Sequence, residues 1–196
     1  MGFFESLLTV VILAAVLMIG GLCVLILRCY RKVHQGTALI VTGGTEPTVH
    51  FSRAIVLPFI RAAEEMDISI RRIEIFRHGS EGLICRDNVR ADIKVAFFVR
   101  VNNTADDVLK VAQSIGVKRA SDIDKLVELF DSKFSEALKT VGKQFDFVEL
   151  YNSRERFKEE ILKIIGRDLN GYILDDAAID YLEQPPVEKL DANNIL

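Results

Sequence analysis

Residues 7–27 read LLTVVILAAVLMIGGLCVLIL, and this run from Leu7 to Leu27 contains no charged side chain. With a rise of about 1.5 Å per residue, a helix of this run is about 32 Å long, close to the roughly 30 Å hydrocarbon thickness of a bilayer. Inside a soluble core the helix would need apolar neighbours on every side, which a chain this rich in charge supplies poorly. The run therefore predicts a single transmembrane helix.

The segment in front of the run lacks the features of a cleavable signal peptide. Residues 1–6 include Glu5 but neither Lys nor Arg. The apolar run is also longer than the roughly 7–15 residues of a signal sequence, and no A-x-A cleavage site closes it. We therefore expect the helix to stay attached as an anchor.

Basic residues follow the run at Arg28, Arg31 and Lys32. Because Lys and Arg beside a span favour the cytoplasmic side, these residues are expected to set the topology. The amino terminus would then face outward and the remaining chain would lie in the cytoplasm.

The overall composition argues against one class of partner. The chain has 25 basic and 28 acidic residues, and residues 1–34 hold more basic than acidic ones, so the excess of acid is larger in the rest. A nucleic-acid-binding protein needs an exposed cationic surface for phosphates, so no nucleic acid is expected as a ligand.

Cys23, Cys29 and Cys85 in a cytoplasm-facing chain are expected to be reduced.

Strand signals begin at residues 37–41, where the apolar run TALIV precedes Gly43 and Gly44. The glycine pair predicts a turn, since no Gly-Lys-Ser/Thr follows as a phosphate loop requires. Residues 48–51 and 54–57 then predict a short hairpin.

The second arm of that hairpin continues as the apolar run 54–60, which Arg53 and Arg61 bracket. Two interpretations stay open: a strand edge in the core, or a loop in the membrane interface with both arginines at headgroup level. We favour a mixed arrangement. In it, Ile55 and Leu57 lie in the core, and Phe59 and Ile60 contact lipid.

Strand and helix patterns alternate along the remaining chain. Residues 68–75 predict a strand with a bulge at Arg71 and Arg72, and the strict alternation of 89–101 predicts a long antiparallel strand with one wet face. Helices are predicted from Thr104 to about residue 115, from Ser121 to about 141 and from Asn152 to about 170. A last strand is predicted for residues 172–182.

This order resembles that of the stomatin, prohibitin and flotillin superfamily, also called SPFH or band 7. The resemblance is closest to bacterial flotillin-like membrane proteins and is carried by four stretches: 34–44 (HQGTALIVTGG), 54–59 (AIVLPF), 86–101 (RDNVRADIKVAFFVRV) and 133–138 (KFSEAL).

The resemblance implies an α+β fold: a single N-terminal transmembrane helix, then an SPFH (band 7) domain with a mainly antiparallel sheet and packed amphipathic helices. Expected boundaries are 1–34 for the anchor and basic juxtamembrane segment, 35–184 for the SPFH domain, and 185–196 for the start of a C-terminal segment. Flotillin-like proteins continue into a long coiled coil, whereas residues 185–196 show no heptad repeat.

The resemblance also implies a function. Members form large homo-oligomeric rings or cages on a membrane, organise membrane microdomains and control membrane proteases, and bacterial members partner NfeD-type membrane proteins. We therefore expect a scaffold at the cell (inner) membrane whose partners are the lipid bilayer and further copies of itself. A monomeric membrane-tethered adaptor or regulator of a membrane protease is the alternative.

No motif assigns catalytic chemistry to this chain. His34, His50 and His78 form no close-spaced ligand set with Cys29 or Cys85, so neither a metal nor another cofactor is expected. No serine lies in a G-x-S-x-G elbow. A membrane-bound hydrolase therefore remains the less favoured hypothesis, and no enzyme activity is expected.

Overall fold

The computed structural model describes residues 2–44, 46–56, 61–166 and 168–184. The chain divides into two compact units, Met1–Glu65 and Met66–Leu196, and each is described by itself.

The first unit begins with the apolar helix. It contains α1 (Gly2–Cys29), β1 (Tyr30–Lys32), β2 (Thr37–Thr42), β3 (Thr48–His50), β4 (Arg53–Ile55) and most of β5 (Ala62–Asp67), which crosses into the second unit. Within α1, the segment Val11–Cys29 contains an 18-residue window with a mean hydropathy of 2.7, and no part of that window is buried in the protein. By length and composition this helix is a candidate membrane span, as predicted.

The strands of the first unit form two sheets. One has the order β3-β2-β5, and the other consists of β1 and β4 alone. The predicted hairpin of residues 48–57 is therefore wrong, because its arms pair with different strands: β3 with β2, and β4 with β1. One buried cluster of this unit consists of Leu39, Val41, Ala54 and Val56.

The second unit is built on a five-stranded antiparallel sheet. It contains β6 (Arg71–Arg77), a 3-10 turn (Gly79–Glu81), β7 (Leu83–Ile84), β8 (Arg90–Val101), β9 (Asp168–Leu169) and β10 (Tyr172–Glu183). The strand order is β6-β8-β10-β9, and β7 pairs with β8. The long strand predicted for residues 89–101 is thus confirmed as the centre of the sheet, with its odd-numbered residues buried from Ala91 onward.

Helices cover one face of this sheet. They are α2 (Ala105–Ser114), α3 (Val117–Ala120), α4 (Ile123–Gly142), α5 (Phe147–Asn152) and α6 (Arg154–Ile165). The buried side of α4 follows the predicted spacing, and the Phe134 ring lies 4.3 Å from the Phe97 ring of β8. The Thr104 hydroxyl accepts a hydrogen bond from the Asp107 amide, so the predicted cap of α2 is confirmed.

Several local boundaries differ from the prediction. β6 pairs with β8 in unbroken register from Arg71 onward, so there is no bulge at residues 71–72. Asp122 rather than Ser121 caps α4, because Ser121 follows α3 and its hydroxyl accepts from the Asp67 amide at 3.1 Å. The last long helix ends at Gly166, and Asn170 and Gly171 instead turn the chain from β9 into β10.

Candidate membrane-facing site

A two-stranded ribbon begins where the apolar helix ends. Cys29 is the last residue of α1 and Tyr30 is the first of β1, which pairs antiparallel with β4. The Val56 amide donates a hydrogen bond of 2.9 Å to the Cys29 carbonyl. Because β1 leads away from α1, the antiparallel β4 leads back toward its end. The β1–β4 ribbon therefore places Val56 level with the last turn of the candidate span.

One face of the ribbon is apolar at the end next to α1 and cationic further away. Tyr30 is paired with Ile55 beside α1, and their side chains are 42% and 68% exposed. Two residues further from α1, about 6.6 Å at the usual rise of a strand, Lys32 is paired with Arg53. Since residues two apart share a face, an exposed apolar pair lies next to the helix and a cationic pair lies beyond it.

The other face of β4 belongs to the core. Ala54 and Val56 are each 6% exposed and pack with Leu39 and Val41. The expectation that Ile55 would be a core residue is therefore wrong, because strand alternation turns Ile55 outward when its neighbours turn inward. Leu57, Phe59 and Ile60 lie outside the described residues.

The cations of this region have no acidic partners within the described part of the chain. Arg28, Arg31, Lys32, Arg53 and Arg61 are all exposed and take part in no ion pair there. Their positive charge is therefore available to groups outside the chain.

In the second unit, by contrast, most sheet cations are neutralised internally. Lys94 Nζ lies 2.6 Å from a Glu74 carboxylate oxygen, and Arg100 Nε lies 2.8 Å from an Asp175 oxygen. The solvent-facing side of β8 thus carries a network of ion pairs. The β1–β4 ribbon differs from it because the ribbon's cations have no acidic partners among the described residues.

The residues predicted to act at the membrane come together only in part. Leu7 and Leu27 lie within α1, and the Leu27 side chain is 75% exposed. Arg28 lies in the last turn of α1, Arg31 and Lys32 in β1, and Arg53 in β4, while Arg61 immediately precedes β5. Sequence reasoning missed Tyr30, although an aromatic residue at the end of an apolar run is the usual signal of a membrane interface.

A second candidate site is a cleft of about 520 Å³ in the second unit. Its lining includes Arg100, Asn102, Asp107 and Asp175. Hydrogen bonds from Thr104, Asn102 and Lys110 lower the pKa of Asp107, and Arg100 is paired with Asp175. These polar groups therefore already bind one another. For this reason the cleft is a weaker candidate for a ligand site than the β1–β4 ribbon.

The described residues show neither an activated thiol at Cys85 nor a metal-binding cluster. Burial raises the pKa of the Cys85 thiol to about 11, aided by the nearby charges of Asp87 and Asp146, so this group is a thiol at neutral pH. No group of three or more His, Cys, Asp or Glu side chains that could hold a metal ion occurs within the described chain.

The sequence of this chain is similar to those of known proteins. The model of the family "SPFH domain / Band 7 family" matches residues 31–187. Over 189 residues the chain is 30% identical to the flotillin family inner membrane protein YqiK of Escherichia coli (strain K12), covering 95% of this chain and 34% of YqiK.

A second relative is more distant. Over 191 residues the chain is 24% identical to the flotillin family inner membrane protein sll1021 of Synechocystis sp., covering 94% of this chain and 28% of sll1021. The chain thus spans about a third of the length of the curated relatives that it matches.

Proposed function

This chain belongs to the SPFH domain / Band 7 family, and on that basis we propose that it is a membrane-anchored scaffold that associates laterally into a ring or cage. The observation that carries the proposal is the position of the family's domain, which follows the apolar helix α1 without a linker. A scaffold needs no catalytic group, and its proposed role is to organise membrane microdomains or membrane-protein partners.

The β1–β4 ribbon supports lateral association. A domain held only by a flexible tether samples many orientations, so each contact with a neighbour has to restrict that freedom. The hydrogen bond from Val56 to Cys29 instead ties β4 to the end of α1. Copies held in this way in one membrane present the same surfaces to one another at a high effective concentration.

The proposed location is the inner membrane, with a single span, the amino terminus outside and the SPFH domain in the cytoplasm. Two observations support it: the names of YqiK and sll1021, which are inner membrane proteins, and the cations Arg28, Arg31 and Lys32. An NfeD-type membrane protein or a membrane protease is the proposed protein partner.

We also propose a second membrane attachment made by Arg53, Phe59, Ile60 and Arg61. The direction of β4 supports it, because the strand leads toward the end of α1 and the apolar run continues past Val56. In this arrangement Ile55, Phe59 and Ile60 enter the acyl boundary while the arginines remain with phosphates.

The size of the purified protein tests the scaffold. The full chain, extracted in a mild detergent, is expected to form particles of many subunits by mass photometry, and crosslinking in membranes should give a ladder of multimers. A monomer in both experiments would contradict the scaffold and favour the membrane-tethered adaptor. Specific labelling by a hydrolase probe, abolished by one substitution, would instead revive the enzyme hypothesis.

A further inference from the structure

We propose that the β1–β4 ribbon is a binding site for the headgroups of anionic phospholipids. The proposal rests on the membrane attachment proposed above and adds the chemistry of the lipid that is bound. Lys32 and Arg53 are the central groups of the site, and Arg31 and Arg28 contribute to its positive field.

The first argument is the pairing of two like charges. Lys32 and Arg53 are direct cross-strand partners. Like charges in such positions repel each other and destabilise the pairing of the strands. No acidic side chain of the described residues compensates them, whereas Glu74 compensates Lys94 at 2.6 Å in the second unit. An anion from outside the chain would remove this repulsion.

The second argument is the location of the pair, which identifies the anion as a lipid headgroup. The exposed Tyr30 and Ile55 lie on the same face as Lys32 and Arg53 but nearer to the end of α1. A soluble phosphate would gain nothing from this apolar pair. A phospholipid matches both, because its acyl chains can contact Tyr30 and Ile55 while its phosphate reaches the cations.

The third argument concerns the charge of the headgroup. A zwitterionic headgroup brings its own cation close to Lys32 and Arg53, whereas phosphatidylglycerol brings only the phosphate. Near an anionic surface each Lys or Arg contributes about a fivefold gain in association. We therefore expect a preference of at least about fivefold for the anionic lipid, and this preference should weaken as salt screens the charges.

The absence of Trp from the whole chain permits a direct experiment. In the full-length variant Tyr30→Trp, the single indole reports contact with lipids that carry bromine on their acyl chains. The protein is reconstituted in nanodiscs that contain both phosphatidylglycerol and phosphatidylcholine, with only one of the two brominated. Stronger quenching by brominated phosphatidylglycerol at equal mole fraction is expected, and equal quenching by the two lipids would overturn the proposal.

Two further variants test the residues, each added to Tyr30→Trp. Lys32→Gln/Arg53→Gln should abolish the preference, and Arg53→Glu should also abolish it by giving Lys32 an internal partner. The control Lys139→Gln/Lys143→Gln makes the same change in net charge at the C-terminal end of α4 in the second unit and should retain the preference. An unchanged preference in the first variant, or its loss in the control, would contradict the site.

Two more readouts separate a lost site from a misfolded ribbon or a failed scaffold. In lipid-free detergent, both ribbon variants are expected to melt at the parent temperature or above, because they remove a repulsion. Particle size is measured on the same samples. Multimers without a lipid preference would overturn this proposal alone, and a lipid preference in a monomer would overturn the scaffold alone.

Discussion

At the scale of single residues, Gly171 shows how closely the second unit is packed. Its φ is +96°, and a Cβ placed there would lie 2.8 Å from both the Asp107 carbonyl oxygen and Val111 Cγ2. The residue turns the chain from β9 into β10, and its own carbonyl accepts a hydrogen bond from the Asn102 amide at 2.9 Å. Any side chain at this position would strain the backbone, because φ is positive, and would also clash with Asp107 and Val111.

Gly171→Ala is therefore expected to destabilise the second unit by about 2–5 kcal/mol, the sum of left-handed strain and overpacking. Chemical denaturation followed by circular dichroism measures the change. Gly79→Ala is the control, because Gly79 has φ +56° but nothing within 4 Å of its Cβ position. Only the strain of about 1–2 kcal/mol is expected there. Equal losses in the two variants would contradict the clash.

Asp107 gives a prediction about pH. Hydrogen bonds from Thr104, Asn102 and Lys110 lower its pKa, so the carboxylate is stabilised in the folded state. In the unfolded chain the pKa of an Asp carboxyl is about 3.9. Because the folded pKa is lower, the carboxylate stabilises the fold at pH values above about 3.9, and this stability is lost as pH falls through the folded pKa. Asp107→Asn should thus be less stable than the parent at pH 7.

Below the unfolded pKa of about 3.9 the difference between the two proteins is expected to shrink, and it should vanish once the pH falls below the lowered folded pKa, where the parent carboxylate is protonated in both states. Thermal melts of parent and variant between pH 3 and pH 7 measure the difference. Asp106→Asn, at an exposed position in the same turn, serves as the control for lost charge. A difference between parent and Asp107→Asn that stays constant down to pH 3 would exclude this role of the carboxylate.

At the scale of elements, the β1–β4 ribbon is the feature that joins the helix to the domain. A strand that pairs with the first residues after a span has to approach the membrane surface, whatever its own sequence. In β4 this geometry coincides with an outward-facing Ile55 and an apolar continuation. Position and composition therefore lead to the same expectation of a second membrane contact.

Single Trp substitutions test this contact. Ile55→Trp is expected to show blue-shifted emission and strong quenching by brominated phosphatidylcholine, and Phe59→Trp should be quenched at greater depth. Phe76→Trp is the control, because Phe76 is 46% exposed on the sheet of the second unit and should emit as in water. Emission of Ile55→Trp at the water-exposed wavelength would assign the ribbon to solvent.

At the scale of the whole molecule, topology decides which compartment the domain can serve. The charges that favour the cytoplasm are Arg28, Arg31 and Lys32. All three lie within five residues of Leu27, where the apolar run ends. Charges at this distance bias insertion, whereas charges far along the chain contribute little.

A protease added to intact spheroplasts is expected to spare the domain of the parent protein. In the variant Arg28→Glu/Arg31→Glu/Lys32→Glu, the digested fraction should rise. The same reversal at Lys118, Lys139 and Lys143 in the second unit is the control and should leave the domain protected. Digestion of the parent from outside would reverse the proposed orientation.

The elements that the sequence determined by itself are those with a local period. The uncharged run predicted α1, strict alternation predicted β8, and apolar residues four apart predicted the buried side of α4. The side chain of Thr104, followed by acids in the first turn, likewise predicted the start of α2. Each of these signals depends on neighbours along the chain, which the sequence contains in full.

Only the tertiary structure decided which strands pair. The sequence predicted one hairpin with arms at residues 48–51 and 54–57, yet β3 pairs with β2 and β4 pairs with β1. Pairing depends on residues that are distant along the chain, and short strands carry too little periodicity to specify their partners.

The candidate site shows the same division. The sequence identified its cations and the apolar run, because charge and hydropathy are properties of composition. It did not identify the outward direction of Ile55, which depends on the pairing of β1 with β4. It also missed Tyr30, although the position of this aromatic residue at the end of the apolar run is a signal within the sequence. The paired residues of this ribbon are 21 to 25 positions apart along the chain, and their register brings scattered cations and apolar residues onto a single face. Such long-range register is decided by the fold as a whole.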